Sequence, residues 1–164
     1  MGVDLLVVES GWNADRLGAL TQAACRAALV AFDLDPEGFE ISLLGCSDAR
    51  IAALNGDFRA KPVATNVLSW PAHDIALPLG GMPDLPVPDP RGPPVELGDI
   101  AIAYETCAAE AADQGKPLDD HVRHLLVHAT LHLLGFDHIN DADAALMEGL
   151  ETRILETLGI PDPY

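Results

Sequence analysis

The chain is organised around the stretch HATLHLLGFDH, which runs from His128 to His138. Its three histidines have the spacing H-x3-H-x5-H, and the first two fall in an apolar run that predicts a helix. Residues four apart share one helix face, so His128 and His132 can present their imidazoles side by side. Gly135 predicts the end of this helix, because glycine readily adopts the left-handed conformation needed just past a helix terminus. The chain can then turn back and bring His138 towards the other two.

Three converging histidine nitrogens are typical of a catalytic zinc site, which uses three protein ligands and keeps a fourth position open. Structural zinc sites are usually closed and commonly use cysteine, which this stretch lacks. A lone histidine on an apolar helix is more often a hydrogen-bonded core residue. Two histidines at i and i+4, followed by a glycine and a third histidine, favour a metal. We therefore expect His128, His132 and His138 to bind one Zn2+ per chain.

Three neighbouring residues each have two interpretations. His121 and His124 precede His128 on the same helix and can orient a ligand, although a solvated or hydrogen-bonded histidine is the favoured interpretation of each. Asp137 either holds a ligating imidazole through its other ring nitrogen or is a turn residue, and the sequence does not decide between them.

The position after the first histidine argues against a zinc protease. In the H-E-x-x-H metalloproteases a glutamate occupies that position and serves as the general base. Here the residue is Ala129. A zinc protease is therefore only a minor alternative.

Length and composition predict one domain spanning residues 1–164. The chain has 164 residues, and 49% of them are hydrophobic, so it can bury a core. No apolar run reaches the ~20 residues of a membrane span, and the first residues do not resemble a signal peptide. The three cysteines, Cys25, Cys46 and Cys107, are far apart and odd in number, which predicts buried free thiols in a reducing cytoplasm. We expect a cytoplasmic protein with no membrane partner.

The charge is strongly acidic. Lysine and arginine total 9 against 26 aspartates and glutamates, for a net charge of -17. This argues against sequence-independent binding of nucleic acid, since phosphate contacts normally need a basic face. A local basic patch from Arg50, Arg59, Lys61 and Arg123 is compatible with the sequence, although each of these residues taken alone is more simply a solvated surface charge.

Hydrophobic periodicity and capping residues predict elements in the order βαβαββααα. The predicted strands are 5–9, 39–44, 65–70 and 98–103. The predicted helices are 13–31 with Asn13 as N-cap, a second one capped by Ser47 and closed by Arg59, 105–114, the histidine helix starting at Pro117, and a last one capped by Asp141 and closed by Gly159. Between them, residues 71–96 hold eight of the 13 prolines and predict an irregular loop. The fold class is thus α+β, a single domain with a small four-stranded mixed sheet packed with about five helices.

Three stretches resemble the YbeY family of metal-dependent endoribonucleases, which act in bacterial ribosomal RNA maturation. The histidine stretch is similar to that family's H-G-x-L-H-L-x-G-[YF]-D-H. The other two are LNGDFR (54–59), followed by TNVLSWP (65–71), and LGDIAI (97–102). This chain departs from the family at Ala129, where glycine is usual, at Trp70, which replaces phenylalanine, and in its long proline loop.

The resemblance implies a single-strand-specific, zinc-dependent endoribonuclease that acts in 16S rRNA 3′-end maturation and ribosome quality control. It implies zinc binding by the three histidines, a catalytic role for Arg59 in the cleft, and ribosomal RNA precursor, the ribosome and assembly factors as partners. The alternatives are another zinc hydrolase acting on a peptide or amide, and a non-catalytic ribosome-assembly module with a structural metal. The latter needs a fourth ligand, for which Asp137 and His124 are candidates.

Overall fold

A computed structural model describes residues 1–73, 83, 85–137 and 140–164, without the side chains of Phe58 and Arg59. The described residues form four strands, five α-helices and a 3-10 turn at Pro36–Gly38. In chain order these are β1 Gly2–Val7, α1 Ala14–Val30, β2 Phe39–Cys46, α2 Asp48–Arg59, β3 Val67–Pro71, β4 Val95–Ala103, α3 Tyr104–Asp113, α4 Leu118–Leu133 and α5 Asp141–Thr157. The predicted α+β fold, with five helices and a four-stranded mixed sheet, is confirmed.

The sheet has the strand order β1-β2-β4-β3. β1, β2 and β4 are parallel, with Leu5 opposite Leu43 and Leu43 opposite Ile100. β3 pairs antiparallel with β4 and forms one edge of the sheet. β1 therefore begins and ends earlier than the predicted 5–9, because its ladder with β2 starts at Gly2 opposite Glu40. Strand pairing, rather than the local apolar run, sets this boundary.

Helices cover both faces of the sheet. The larger core joins side chains of β2 and β4, such as Ile41 and Ile102, to the apolar faces of α1 and α4, including Leu17 and Leu126. A smaller cluster lies on the opposite face, where Ile51 of α2 packs with Leu68 and other strand residues. Apolar side chains are therefore buried on both faces of the sheet, and this burial stabilises the fold.

Two of the predicted helix caps are confirmed. The side chain of Asn13 accepts a hydrogen bond from the backbone N–H of Arg16 at 3.0 Å, and Ser47 does the same for Arg50 at 3.3 Å. The predicted cap of the last helix is wrong by one residue. Asn140, not Asp141, accepts from the N–H of Asp143, at 2.9 Å, because its extended backbone aims the side-chain oxygen at the third helical residue.

The histidine helix begins one residue later than predicted, so Pro117 precedes its first turn. It is the N-cap residue of α4, with an extended backbone (φ -60°, ψ 142°), and Leu118 is the first helical residue. The predicted proline loop is shorter at both ends, since Pro71 ends β3 and Val95 begins β4. Residues 74–82 and 84 of that loop lie outside the described part of the structure.

The prediction of buried free thiols is confirmed, because Cys25, Cys46 and Cys107 are all buried and unpaired with one another. Within the described ranges, none of the helices has the length and apolar character that a membrane crossing requires.

Candidate metal centre

α4 is the central helix of the domain, and most of its surface is apolar and buried. One row of its side chains is different. His121, His124, His128 and His132 follow one another at intervals of three or four residues, which places them along one face of the helix. The core-facing residues on the other sides, such as Leu126, fix how α4 is rotated and so direct the histidine row away from the core.

His128 and His132 come together as predicted. Their ring centroids are 4.7 Å apart, with the ring planes at 79°. Both line a cavity of about 650 Å³. Its other walls come from the edge strand β3, the turn after α4 and the end of the chain, and the described lining residues are Asn66, Val67, Leu68, Ser69, Pro71, His73, His124, Leu125, Ala129, Gly135, Phe136, Asp137 and Tyr164.

The turn after α4 ends the helix as predicted. Gly135 has φ 107°, a value that favours glycine, and its N–H bonds the carbonyl of His132 at 3.0 Å. Phe136 is buried and stacks on Phe32, with centroids 5.3 Å apart. This packing anchors the chain directly before Asp137. The third predicted ligand, His138, lies outside the described residues.

A buried carboxylate on α5 contacts the first histidine. Nδ1 of His128 forms a short hydrogen bond with Oε1 of Glu151, whose side chain is fully buried. The other carboxylate oxygen, Oε2, accepts a hydrogen bond from the hydroxyl of Tyr164. Nε2 of His124 lies 3.6 Å from Oε2 of Glu151 and 3.4 Å from the Tyr164 hydroxyl. Glu151 is thus the common partner of all three side chains.

The surroundings of Glu151 keep it ionised. Burial raises the pKa of this carboxyl, but the contacts with His124 and His128, the charge of His128 and the hydrogen bond from Tyr164 together outweigh burial. The resulting pKa is about 2. For Tyr164, burial and the contact with Glu151 raise the pKa of the hydroxyl far above its usual value, so it remains a hydrogen-bond donor.

The second histidine also has a carboxylate nearby. Nδ1 of His132 lies 3.9 Å from Oδ1 of Asp137, whose side chain is partly exposed. This distance is too long for a direct hydrogen bond but places the two groups as an ion pair when the ring is charged. Asp137 thus lies beside a predicted ligand, and both interpretations of this residue stay predictions.

The two remaining histidines of the row differ from each other. His121 is buried, and its Nε2 lies 2.9 Å from Oε1 of Glu110, away from the predicted ligands. Burial lowers the pKa of His121, and the hydrogen bond to Glu110 opposes this only in part. The hydrogen-bonded interpretation therefore fits His121. His124, through its contact with Glu151, fits the orienting role instead.

The donors that the structure brings together suit a metal such as zinc. Imidazole nitrogen is among the ligands that zinc prefers, and an Nδ1–H bonded to a carboxylate leaves the lone pair of a neutral ring on Nε2. His128 meets this description. No group of three His, Cys, Asp or Glu that could hold a metal is found among the described residues, a set that excludes the predicted third ligand. Two of the three predicted ligands thus fit, and the complete set stays a prediction.

The predicted basic residues are distributed over several surfaces. Arg59 is the last residue of α2, and its side chain lies outside the described part of the structure. Arg50 lines a different cavity, together with Asp99 and Trp70, and Arg123 pairs with Asp120 at 3.1 Å. Among the described residues that line the histidine cavity there is no lysine or arginine.

Glu151 and Tyr164 were not predicted from the sequence. Glu151 carried one signal, because it lies four residues after Met147 and three before Ile154, within the inward stripe of α5. A glutamate is almost never fully buried unless it is paired, so its place in this stripe indicates a buried partner. Tyr164 gave no comparable signal.

Comparison with known proteins identifies the relationship. The sequence profile described as endoribonuclease YbeY matches residues 8–159. The chain is 59% identical over 164 residues to the endoribonuclease YbeY of Dinoroseobacter shibae, covering 99% of this chain and 90% of that protein. It is 56% identical over 165 residues to that of a Jannaschia species, covering 100% of both chains.

A solved structure shows a related fold. The solution structure of TM1509 from Thermotoga maritima superposes with a TM-score of 0.54 and 15% sequence identity, covering 96% of this chain and 91% of that one. At that identity the likeness supports the fold alone. The sequence matches, by contrast, extend over nearly the whole chain at more than half identity. The chain therefore belongs to the endoribonuclease YbeY family.

Proposed function

We propose that this protein is a single-strand-specific, zinc-dependent endoribonuclease of the cytoplasm, acting in 16S rRNA 3′-end maturation and ribosome quality control. Family membership supports cleavage of RNA. The observation that supports a metal is the pair His128 and His132, which face one cavity with ring centroids 4.7 Å apart.

The proposed ligands are His128, His132 and His138, binding one Zn2+ per chain. When bound, zinc supplies a Lewis acid that polarises a phosphoryl oxygen or lowers the pKa of water. The protein holds the imidazole of His128 in one orientation through Glu151. Ala129, which lines the same cavity, offers no carboxylate at the position of the metalloprotease base. This supports phosphodiester cleavage over peptide hydrolysis.

Arg59 is the proposed catalytic side chain outside the ligand set. Its guanidinium is planar and always charged, so it can form two parallel hydrogen bonds to a phosphate. Such a fork stabilises the negative charge that increases on the phosphoryl oxygens in the transition state. Its position at the end of α2 rests on the fold, and its role rests on the family resemblance.

The acidic character of the chain bears on how it finds RNA. A net charge of -17 repels free RNA, and the described lining of the histidine cavity contributes no lysine or arginine to offset it. We therefore propose that the ribosome and its assembly factors present the precursor RNA to this site. Phosphate contact by the chain itself would then be a local contribution, centred on Arg59.

The test combines metal content with cleavage. Wild type, His128→Ala and His132→Ala are purified without chelator and assayed for zinc, and His73→Ala serves as the control because this exposed histidine lines the same cavity but is not a proposed ligand. We expect about one zinc per chain in wild type and the control, and loss of zinc and of cleavage in the other two variants. Each protein is given the same RNA as a single strand and as a duplex, together with peptide and amide substrates.

Two results would contradict the proposal. The first is a wild-type protein that neither contains zinc nor takes it up on titration. The second is a zinc-loaded protein that hydrolyses peptides or amides and leaves single-stranded RNA intact.

A further inference from the structure

Glu151 occupies a position where a carboxylate is normally unfavourable. It lies on the inward face of α5 between Met147 and Ile154, and its side chain has no exposed surface. Removing a carboxylate from water costs several kcal/mol unless hydrogen bonds or opposite charges replace the lost solvent. An apolar residue would satisfy the packing of α5 at this point. The partners of Glu151 therefore explain why a carboxylate is present.

The two carboxylate oxygens of Glu151 have different partners. Oε1 accepts from Nδ1 of His128, and Oε2 accepts from the hydroxyl of Tyr164. A histidine that donates from Nδ1 has its lone pair on Nε2 when neutral, so the contact selects one of two tautomers. It also restricts rotation of the ring about its side-chain torsions, because Glu151 belongs to a different helix from His128.

Tyr164 is itself held in place by several contacts. Its backbone N–H bonds Oδ1 of Asp162 at 2.9 Å, and the same oxygen lies 3.3 Å from the hydroxyl of Thr152 on α5. Its ring lies edge-on to His124, with centroids 5.6 Å apart and the planes at 89°. The segment after α5 is thus folded back so that the Tyr164 hydroxyl reaches the buried carboxylate, while much of the ring remains exposed on the cavity wall.

We propose that Glu151 and Tyr164 are positioning residues for the metal ligand His128. Glu151 fixes the tautomer and orientation of the imidazole, and Tyr164 fixes the carboxylate that does so. Glu151 acts on the zinc site through His128, and Tyr164 acts through Glu151. The inference rests on the proposed zinc site. It adds to that site the hydrogen bonds that connect His128 on α4 to Glu151 on α5 and to Tyr164 in the segment after α5.

The test uses three variants and two measurements. Glu151→Leu removes the acceptor and suits the apolar stripe of α5, Tyr164→Phe removes only the hydroxyl, and Glu156→Leu makes the same change as the first at an exposed position of the same helix. Zinc affinity is measured by competition with a coloured chelator. The tautomer of His128 is read in the zinc-free protein at pH 8 from long-range 15N–1H correlation spectra.

We expect Glu151→Leu to weaken zinc binding by about 10- to 100-fold, the usual effect of removing a partner of a metal ligand. The 15N spectrum of His128 should change from the Nδ1–H form to one in which the Nε2–H form is populated. Tyr164→Phe should weaken zinc binding by less, in the same direction, and Glu156→Leu should match wild type in both measurements. Circular dichroism establishes whether each variant is folded. If Glu151→Leu is not folded, the zinc affinity of Tyr164→Phe tests the proposal.

The possible failures are distinguishable. Zinc bound by wild type and by both site variants with equal affinity, or an unchanged His128 tautomer in Glu151→Leu, would overturn this inference and leave the zinc site intact. Absence of zinc binding in wild type would overturn the zinc site, and this inference with it.

Discussion

Nδ1 of His128 on α4 donates a hydrogen bond to the buried Oε1 of Glu151 on α5, 23 residues further along the chain. The contact joins the two helices, and the side chains of His124 and Tyr164 lie beside the same carboxylate. Its energy depends on the ionisation of Glu151, since only the carboxylate accepts hydrogen bonds through both oxygens. Stability in acid should therefore report on this contact.

The first prediction concerns that acid range. The pKa of Glu151 is lowered to about 2 from its usual 4.5, so its contribution to folding is complete above pH 4.5 and is lost as the pH falls to about 2. We expect the melting temperature of wild type to fall more steeply between pH 4.5 and pH 2 than that of Glu151→Leu. Calorimetry of both proteins across this range gives the comparison. Parallel curves would show that Glu151 has no such role in stability.

The second prediction separates Arg59 from the metal ligands. Arg59→Ala should retain zinc and lose cleavage by about 10²- to 10³-fold, the usual loss when one group that stabilises transition-state charge is removed. Arg59→Lys should recover little activity, because lysine keeps the charge but not the planar fork. Arg153→Ala, an exposed arginine on α5, is the control. Full activity of Arg59→Ala would remove Arg59 from the mechanism.

The third prediction concerns binding of free RNA. If the chain contacts phosphates at the site, the logarithm of the association constant should fall linearly with the logarithm of the salt concentration. Because few cations take part, we expect a shallow slope, which Arg59→Ala makes shallower by about one unit. Fluorescence titrations of a labelled single strand at several salt concentrations measure it. Strong binding that does not change with salt would contradict phosphate contact.

The fourth prediction tests the junction of β3 and β4. Gly98 has φ 141°, and an added Cβ would lie 2.2 Å from the carbonyl oxygen of Trp70, so Gly98→Ala should destabilise the fold by more than about 1 kcal/mol. Gly149→Ala is the matched control on α5, where an added Cβ meets nothing within 4 Å. There we expect stabilisation of about 0.5–1 kcal/mol, because alanine favours a helix interior. Urea unfolding of both variants measures the difference, and equal effects would contradict the strand geometry.

The fifth prediction concerns the thiols. Burial raises the pKa of Cys25 to about 11 and of Cys46 to about 11, so little reactive thiolate is present near neutral pH. We expect the folded protein to react slowly with a disulfide reagent at pH 8 and to release three equivalents after denaturation. Absorbance at the wavelength of the released thiolate follows both phases. Rapid reaction of the folded protein would show that the thiols are accessible.

Local patterns in the sequence were sufficient for much of the fold. Asn13 and Ser47 cap their helices through hydrogen bonds to residues three positions away, and Gly135 ends α4 through its own backbone conformation. The i, i+4 spacing places His128 and His132 on one face because the geometry of a helix is regular. All of these features depend on residues within one or two turns of each other.

Contacts between distant residues were decided by the tertiary structure. The insertion of β4 between β2 and β3 does not follow from chain order. The contacts of Glu151 with His128 and Tyr164 exist only once α5 packs against α4 and the following segment folds back. Local sequence was thus sufficient for the helices, two of their N-caps and the pair of histidines, because local geometry sets these. Only packing decided which carboxylate holds His128, because residues far apart in the chain meet through the shape of the core rather than through their spacing.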